Sequence, residues 1–403
     1  MKDKAVKEMV EKIVNEQSEG GAGAKKRKLE DLKVAIVCDW LTNVGGAEKV
    51  LLEIHKLFPR APIYTSKYDP KGIDWFRDAD VRTGYLQKYP TCLRRFLGAK
   101  RQKYFEKLDL SEYDVVISVT GAEAKAVRAP KGVHISYCHV PTQYYYQMYD
   151  EYVKNPGFGM LNPLVRMCFK KMVKPLREKD TAAAKKVDYF VTISEYAKGL
   201  IEKYYKKDAT VIHPPVEVDE FRDVKCKRRM TVEKFHVDEA YVVTSRQVNW
   251  KKLDLAVKAC MMTKRYLLVI GEGPEHKKLV KLAKGSKYIK FLPLLGKEDL
   301  AKYLSQAKGY LFPSLEPFGI APVEAIAAGC PVIAYGEGGA LDYVIEGKNG
   351  ILFYKQTAKD LAAAILEFEK MDFDREKLPK TVEKFAAERF DKEMVKFVDE
   401  KAK

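Results

Sequence analysis

The sequence predicts an α/β protein made of two Rossmann-like halves, each a doubly wound parallel sheet, and three observations carry that expectation. Short apolar runs of strand length recur along the chain, separated by segments of helical periodicity. The first run, KVAIVCDWL, leads through a glycine pair into the amphipathic TNVGGAEKVLLEIHKLF, the opening of a βαβ unit. The pattern then restarts after residue 220, in a chain whose 403 residues exceed one ordinary domain.

Residues 1–30 read as an addition. Val6, Met9, Val10, Ile13 and Val14 fall at helical spacing, and the basic SEGGAGAKKRK follows as a linker. A loosely attached helix and an anchor for a membrane or partner both fit. The first half covers 31–220, with further strands in YDVVISVTG, HISYCHV, VDYFVTIS and ATVIHPP. A boundary is expected near Val218 to Lys225. The second half, 221–378, takes its strands from AYVVTSRQV, RYLLVIGEGP, YIKFLPLL, GYLFPS, CPVIAYG and GILF. The last stretch, 379–403, continues an amphipathic helix, TVEKFAAERFDKEMVKFVDE, expected to pack back across both domains. Open α/β sheets take ligands at the carboxyl ends of their strands, so the site is expected in a cleft between the two sheets.

Composition narrows the function classes. A hydrophobic share of 46% with 11% aromatics describes a chain with real cores. The net charge of +17 suits a polyanionic partner: nucleic acid, acidic lipid or a phosphorylated substrate. The seven cysteines are scattered and form no C-x-x-C pair, which points to reduced thiols in a cytoplasm and away from a disulfide framework or zinc site. No apolar run is long enough to span a bilayer, and the N-terminus lacks a signal-peptide core. The expectation is a cytoplasmic protein, soluble or peripheral on the inner face of a membrane. No G-x-x-x-x-G-K-[ST] occurs, which excludes a P-loop enzyme. Asp78 to Asp80 read as a solvated turn, and no metal site is expected.

The richest segment is FPSLEPFGIAPVEAIAAGCPVIAYGEGG. GYLFPS is a strand and LEPFG the loop at its carboxyl end. Pro322 suits the first turn of a helix and Gly329 its end. The N–H groups near Gly319 and Ile320 then make a seat for phosphate or sugar hydroxyls, flanked by Glu316 and Glu324. Two helix-start acids favoured by the dipole would leave the same pattern. In SRQVNWKKLD, Arg246 ends a strand and Lys251 opens the next helix, a pair that can neutralise a diphosphate or simply sit on the surface. His139 lies at a strand end before a tyrosine-rich loop, YCHVPTQYYYQMYDEY, and is either structural or a cleft residue. Gly45 and Gly46 would let backbone approach a ligand. Gly271 and Gly273, in GEGPEH, make a strand-end turn without a full dinucleotide fingerprint.

Together these residues resemble the retaining nucleotide-sugar glycosyltransferases of family four, which have the GT-B fold of two facing Rossmann-like domains. EPFGIAPVE followed by AIAAGCPVIAYGEGGALDYV is the most specific part. SRQVNWKKLDLA, GEGPEHKKLVKLA and HPPVEVDEF follow the same family order, and the likeness runs from Lys33 to the last helix. DWLTNVGGAEKVL and YCHVPTQYYY are most similar to GDP-mannose-dependent mannosyltransferases of polysaccharide or lipid-linked glycan assembly. The resemblance implies that Glu324 binds the nucleotide ribose. Glu316, with the backbone of Phe318, Gly319 and Ile320, would hold the donor hexose, with the Gly271–Gly273 turn on the same donor side. Arg246 and Lys251 would grip the diphosphate, and His139 would contact the sugar near its reacting carbon. Gly45 and Gly46 would line the donor or acceptor side. Gln143 departs from the arginine that similar mannosyltransferases often carry there, which bears on donor or acceptor choice.

The expected reaction moves a hexose from a nucleotide diphosphate to a glycan or lipid-linked acceptor, with no cofactor and with GDP-mannose favoured over UDP-glucose. Positive groups would stabilise the leaving diphosphate as an oxocarbenium-like state forms. No residue stands out as a covalent nucleophile, and Glu316 is the runner-up for that role. A nucleotide-sugar epimerase on the same architecture would need no acceptor, and a glycan phosphorylase would need a pyridoxal lysine. A nucleic-acid-binding protein accounts only for the charge, and no nucleic-acid partner is expected. Finally, CLRRFLGAKRQKYFEKL, over residues 93–109, reads as a basic amphipathic helix that rests on an anionic membrane or turns its apolar side to the core.

Overall fold

A computed structural model describes residues 29–91, 97–154, 162–224, 226, 228–233 and 235–402. The helix and linker expected before residue 29 lie outside the described residues. The chain divides into two compact units: the first runs to His213 and takes back Phe390 onward, and the second is Pro214–Arg389.

In the first unit the strands β1 (Val34–Cys38), β2 (Ile63–Thr65), β3 (Val81–Arg82), β4 (Val115–Thr120), β5 (Val133–Cys138), β6 (Tyr189–Thr192) and β7 (Ala209–Val211) form one sheet. Its order is β3-β2-β1-β4-β5-β6-β7, parallel throughout. The helices are α1 (Gly46–Leu57), α2 (Gly98–Glu106), α3 (Tyr149–Lys154), α4 (Asn162–Lys185) and α5 (Glu195–Tyr205). β1 and β4 are buried along their whole length. Helices cover both faces of such a sheet, so its strands read as unbroken apolar runs rather than alternating ones.

The second unit opens with α6 (Val218–Arg222) and a small antiparallel pair, β8 (Thr231–Val232) and β9 (Phe235–His236). Its main strands are β10 (Ala240–Thr244), β11 (Tyr266–Ile270), β12 (Ile289–Leu292), β13 (Gly309–Phe312), β14 (Val332–Tyr335) and β15 (Gly350–Phe353). They stand in the order β12-β11-β10-β13-β14-β15, again all parallel. The helices between and after them are α7 (Leu253–Thr263), α8 (His276–Leu282), α9 (Lys297–Gln306), α10 (Ile320–Ala327), α11 (Ala340–Tyr343) and α12 (Ala358–Phe368). One core joins the sheet to α7 and α12 through Val257, Cys260, Leu311, Ile333, Leu361 and Ile365. Both units are therefore doubly wound, as the sequence predicts.

Two boundaries differ from the sequence reading. The division falls at Pro214 rather than after residue 220. The reason is local: the Val216 N–H donates to the Phe385 carbonyl at 2.9 Å, and Lys297 pairs with Glu217 and Glu220 at 2.7 Å each, so this segment is fixed to the second unit. The C-terminal stretch is also two elements: a 3₁₀ turn over Pro379–Phe385, then α13 (Ala387–Lys401). Ala386 between them is extended, φ −60° and ψ 148°, because it bridges Val216. Phe390 and Phe397 of α13 pack edge-on against Tyr137 and Tyr189 of the first unit, at 5.9 and 6.3 Å between centroids.

Candidate functional site

In both sheets the strand order reverses about one central pair, β1 with β4 and β10 with β13. The crevice beyond the carboxyl ends of such a pair is where doubly wound sheets take ligands. The second unit places a cluster of polar residues there.

After β10 the chain enters Ser245–Lys251, and Gln247 decides its course. Gln247 is fully buried. Its N–H donates to the Glu272 carbonyl at 2.7 Å, its Nε2 to the Gly271 carbonyl at 2.5 Å, and its Oε1 lies 2.9 Å from His276 Nδ1. The loop after β11 is thus tied to the loop after β10. Gly271 and Gly273 permit this approach: a Cβ would lie 2.5 Å from the Ser245 carbonyl oxygen at the first, and 2.4 Å from that of Gln247 at the second. Their function in the unit is to hold the Arg246–Lys251 loop in place.

That loop presents its two cations differently. Lys251 Nζ lies 2.5 Å from Glu316 Oε1 and 4.4 Å from the Trp250 ring centroid. Ser314 Oγ donates to the same Glu316 oxygen at 2.7 Å. Arg246 is exposed, and no carboxylate among the described residues pairs with its guanidinium. Lys251 and Glu316, 65 positions apart in sequence, therefore meet across the β10–β13 crevice.

The loop Glu316–Gly319 is clamped from behind. The Gly339 N–H donates to the Glu316 carbonyl at 2.8 Å, and Tyr343 Oη to the Phe318 carbonyl at 3.1 Å. The Phe318 ring is core, edge-on to Tyr343 and Phe385 at 5.5 Å each, so only its backbone can serve a ligand. Gly319 caps α10 at φ +93°. Its N–H and that of Ile320 meet no loop or side-chain acceptor among the described residues, and the first N–H groups of a helix have no partner within it. Glu324 sits one turn into α10, buried to 8% exposure. Burial, against the hydrogen bonds to Thr244 and with the Glu316 and Glu324 charges nearby, pushes the Tyr310 hydroxyl up in pKa.

The remaining predicted residues belong to the first unit. Gly45 caps α1 and Gly46 is its first residue. Gly45 has an extended backbone, φ −164°, and its lack of a side chain matters for a different reason: a Cβ would stand 2.8 Å from Glu48 Oε2. His139 follows β5, its N–H bonded to the Thr120 carbonyl at 2.9 Å. Its Nε2 is buried without a hydrogen-bond partner, and burial pushes the imidazole down to about 4, so the ring is neutral at physiological pH. Tyr137 lies edge-on to it at 5.6 Å.

Sequence reasoning missed the residue that fills the first unit's own crevice. Asp39, at the end of β1, accepts from Thr120 Oγ1 and the N–H groups of Gly121, Ala122 and Ala124, all within 2.8–3.0 Å. Burial and the Glu123 charge raise its pKa. These are the donors that would otherwise face an anion. The membrane reading of 93–109 needs correction at one residue. Arg101 is buried, bonded to Glu123 at 2.8 Å and stacked over Trp40 at 5.0 Å, because Glu123 would otherwise be an uncompensated buried charge. Tyr104 and Phe105 of α2 are also core, while Leu93–Phe96 lie outside the described residues. No group of three or more His, Cys, Asp or Glu among the described residues is arranged to hold a metal ion.

Residues 229–388, nearly all of the second unit, match the family of glycosyl transferases group 1. The chain is 27% identical to a GDP-mannose-dependent alpha-(1-6)-phosphatidylinositol monomannoside mannosyltransferase of Mycobacterium tuberculosis, over 84% of this chain and 88% of that one. It is 22% identical to the alpha-1,3/1,6-mannosyltransferase of Schizosaccharomyces pombe, over 81% and 71%. With an uncharacterized glycosyltransferase of Bacillus subtilis it shares 28% over 47% of its length, and it spans about half of that relative (53%). Among solved structures, Anabaena HepE in complex with UDP superposes with a TM-score of 0.64 at 16% identity, covering 92% of this chain and 100% of that one. Two doubly wound parallel-sheet units with this likeness define the GT-B fold, and the second unit carries the match to glycosyl transferases group 1. The two relatives above that align along most of the chain are named as mannosyltransferases.

Proposed function

We propose that the protein is a retaining hexosyltransferase that moves mannose from GDP-mannose to a hydroxyl of a glycan or lipid-linked acceptor. The observation that carries this reading is the β10–β13 crevice. There the Lys251–Glu316 pair links the β10 and β13 loops ahead of the first turn of α10, and the loop that carries Lys251 also carries Arg246, exposed and without a carboxylate partner among the described residues. Arg246 and Lys251 balance the charge that the diphosphate gains as the glycosidic bond breaks. The N–H groups of Gly319 and Ile320, with the helix dipole behind them, seat the donor's oxygens. Glu316 and Glu324 accept from sugar hydroxyls, the hexose at the first and the ribose at the second. In the first unit His139, neutral and with its Nε2 unpartnered among the described residues, offers one hydrogen bond to a sugar hydroxyl. The acceptor oxygen takes the anomeric carbon on the face that the diphosphate leaves.

The relatives named for GDP-mannose support that donor. No helix among the described residues is long and apolar enough to cross a membrane, and a lipid-linked acceptor would be met by a cytoplasmic protein peripheral to the bilayer. A thermal shift series with GDP-mannose, UDP-glucose, GDP and UDP, on wild type and Glu324→Ala, tests the reading. A sugar nucleotide at 100 times its dissociation constant should add about 2.7 kcal/mol of stability to the wild type alone. No response to any of them at saturation would overturn it. Conversion of the donor sugar without any acceptor would favour an epimerase instead.

A further inference from the structure

Helix α4 has two unlike halves. From Val173 onward it is packed, with Val173, Leu176, Asp180, Ala183 and Ala184 buried. Over Asn162–Met172 no residue is buried, and contact with the unit runs through residues such as Phe169, which stacks on Tyr149 at 5.8 Å. On the other side Leu164, Met167 and Met172 are 56%, 52% and 44% exposed. Three- and four-residue spacing puts Leu164, Met167 and Lys171 on one outward stripe, Lys170 and Lys174 lie along the edge beside Met167, and Met172 flanks the opposite edge. None of the three lysines has an ion pair among the described residues, and no acid occurs between Asn162 and Arg177. Pro175 stands inside the helix close to where exposure gives way to packing.

We infer that the N-terminal half of α4 is a docking surface for a bilayer rich in acidic phospholipid. Unshielded methionine and leucine side chains on a solvent face gain by entering an apolar phase, and lysine stems can lie along that phase while their ammonium groups meet lipid phosphates. The charge argues for this occupant over a second copy of the chain. A symmetric partner would bring the same lysines against these, whereas an anionic surface complements them and the net charge of +17. The contact sits here rather than on α2, whose Arg101, Tyr104 and Phe105 are turned inward.

Flotation of the full chain with phosphatidylcholine vesicles, with and without phosphatidylglycerol, tests the inference. Wild type floats with the acidic vesicles, less so at high salt. Lys170→Glu/Lys171→Glu/Lys174→Glu loses about 100-fold in partitioning, each lysine contributing about 1 kcal/mol, and Leu164→Ser/Met167→Ser/Met172→Ser also loses binding. Lys100→Glu/Lys103→Glu/Lys107→Glu keeps it. Unchanged melting temperatures show that the variants fold, and an unchanged shift with sugar nucleotide separates this surface from the donor reading. The inference is overturned if wild type does not float, if the α4 variants float like wild type, or if loss follows the α2 lysines. A wild-type dimer that the α4 changes dissolve, without vesicle binding, also overturns it.

Discussion

Replacing Gly319 with alanine would test whether the loop ahead of α10 is held as tightly as its geometry requires. The residue has φ +93° and ψ 91°, and an alanine Cβ there would lie 2.6 Å from Phe312 Cζ and 2.9 Å from Tyr343 Oη. Neither neighbour yields easily. Phe312 ends a central strand at 5% exposure, and Tyr343, at 1%, is packed against Phe318 and Phe385. The left-handed backbone costs an L-residue roughly 1–2 kcal/mol, and forcing a methyl into a filled core costs about 1–3 kcal/mol more. The sum, about 2–5 kcal/mol, lowers the melting temperature of a unit this size by roughly 5–15 °C. Urea and thermal unfolding measure it, with Gly199→Ala as the contrast. Gly199 lies on the exposed face of α5 with nothing within 4 Å of its Cβ position, and alanine there should stabilise by about 0.5–1 kcal/mol. The reasoning about the loop is refuted if Gly319→Ala unfolds within 1 kcal/mol of wild type. If it is destabilised as expected yet binds sugar nucleotide like wild type, the loop is structural and the donor lies elsewhere.

Gln247→Leu removes the two side-chain bonds that tie the β10 and β11 loops and leaves the Gly271 carbonyl without that donor. An unmade buried hydrogen bond costs about 1–3 kcal/mol. A loss of about 2–4 kcal/mol in urea melts is therefore expected, with weaker donor binding because the Arg246–Lys251 loop is released; unchanged stability would show that the glycine contacts alone hold it. Glu369 gives a pH dependence. Its carboxylate accepts from Nε and Nη2 of Arg265, from Lys308 and from the Tyr241 hydroxyl, and the Arg265 bonds lead, with Lys308, in pulling its pKa from 4.5 to about 2. A carboxylate depressed in the folded state adds stability that is complete above pH 4.5 and is lost as pH falls toward 2. Wild type should lose stability more steeply than Glu369→Gln across that window, and parallel curves would refute the assignment.

The fold was legible because parallel sheets covered on both faces produce their own signal. VAIVC and VVISVT are apolar at every position or nearly so, and glycine loops and amphipathic helices separate them. The course of the EPFG loop was legible for a related reason: a glycine and an early proline after an apolar strand mark a loop that turns into a helix, as β13, Gly319 and α10 do. Pairings were not legible. Nothing in the sequence says that Lys251 reaches Glu316, that Gln247 rather than the cations beside it anchors its loop, or that Arg101 turns inward to a carboxylate at position 123. These follow from strand order, which places residues far apart in sequence at the same sheet edge. The amphipathic pattern of residues 93–109 likewise identifies an apolar face without saying whether core or lipid covers it.

Strand order also bears on why two sheets of the same winding should differ in use. In the first unit Asp39 accepts four hydrogen bonds from the β4 end and its loop, three of them from backbone N–H groups. A carboxylate of the chain itself thereby occupies the position that a phosphate takes in a nucleotide-binding half. In the second unit the link across the crevice is made by side chains, Lys251 to Glu316, and the N–H groups of Gly319 and Ile320 meet no loop or side-chain acceptor among the described residues. A side-chain ion pair can exchange partners when a diphosphate arrives, since Lys251 then gains a second anion and Glu316 is freed toward hydroxyl donors. A buried carboxylate bound by three backbone amides cannot do so without unmaking the strand ends that hold it. The same winding thus yields one half closed to anions and one half poised for them, which supports the second unit as the donor side.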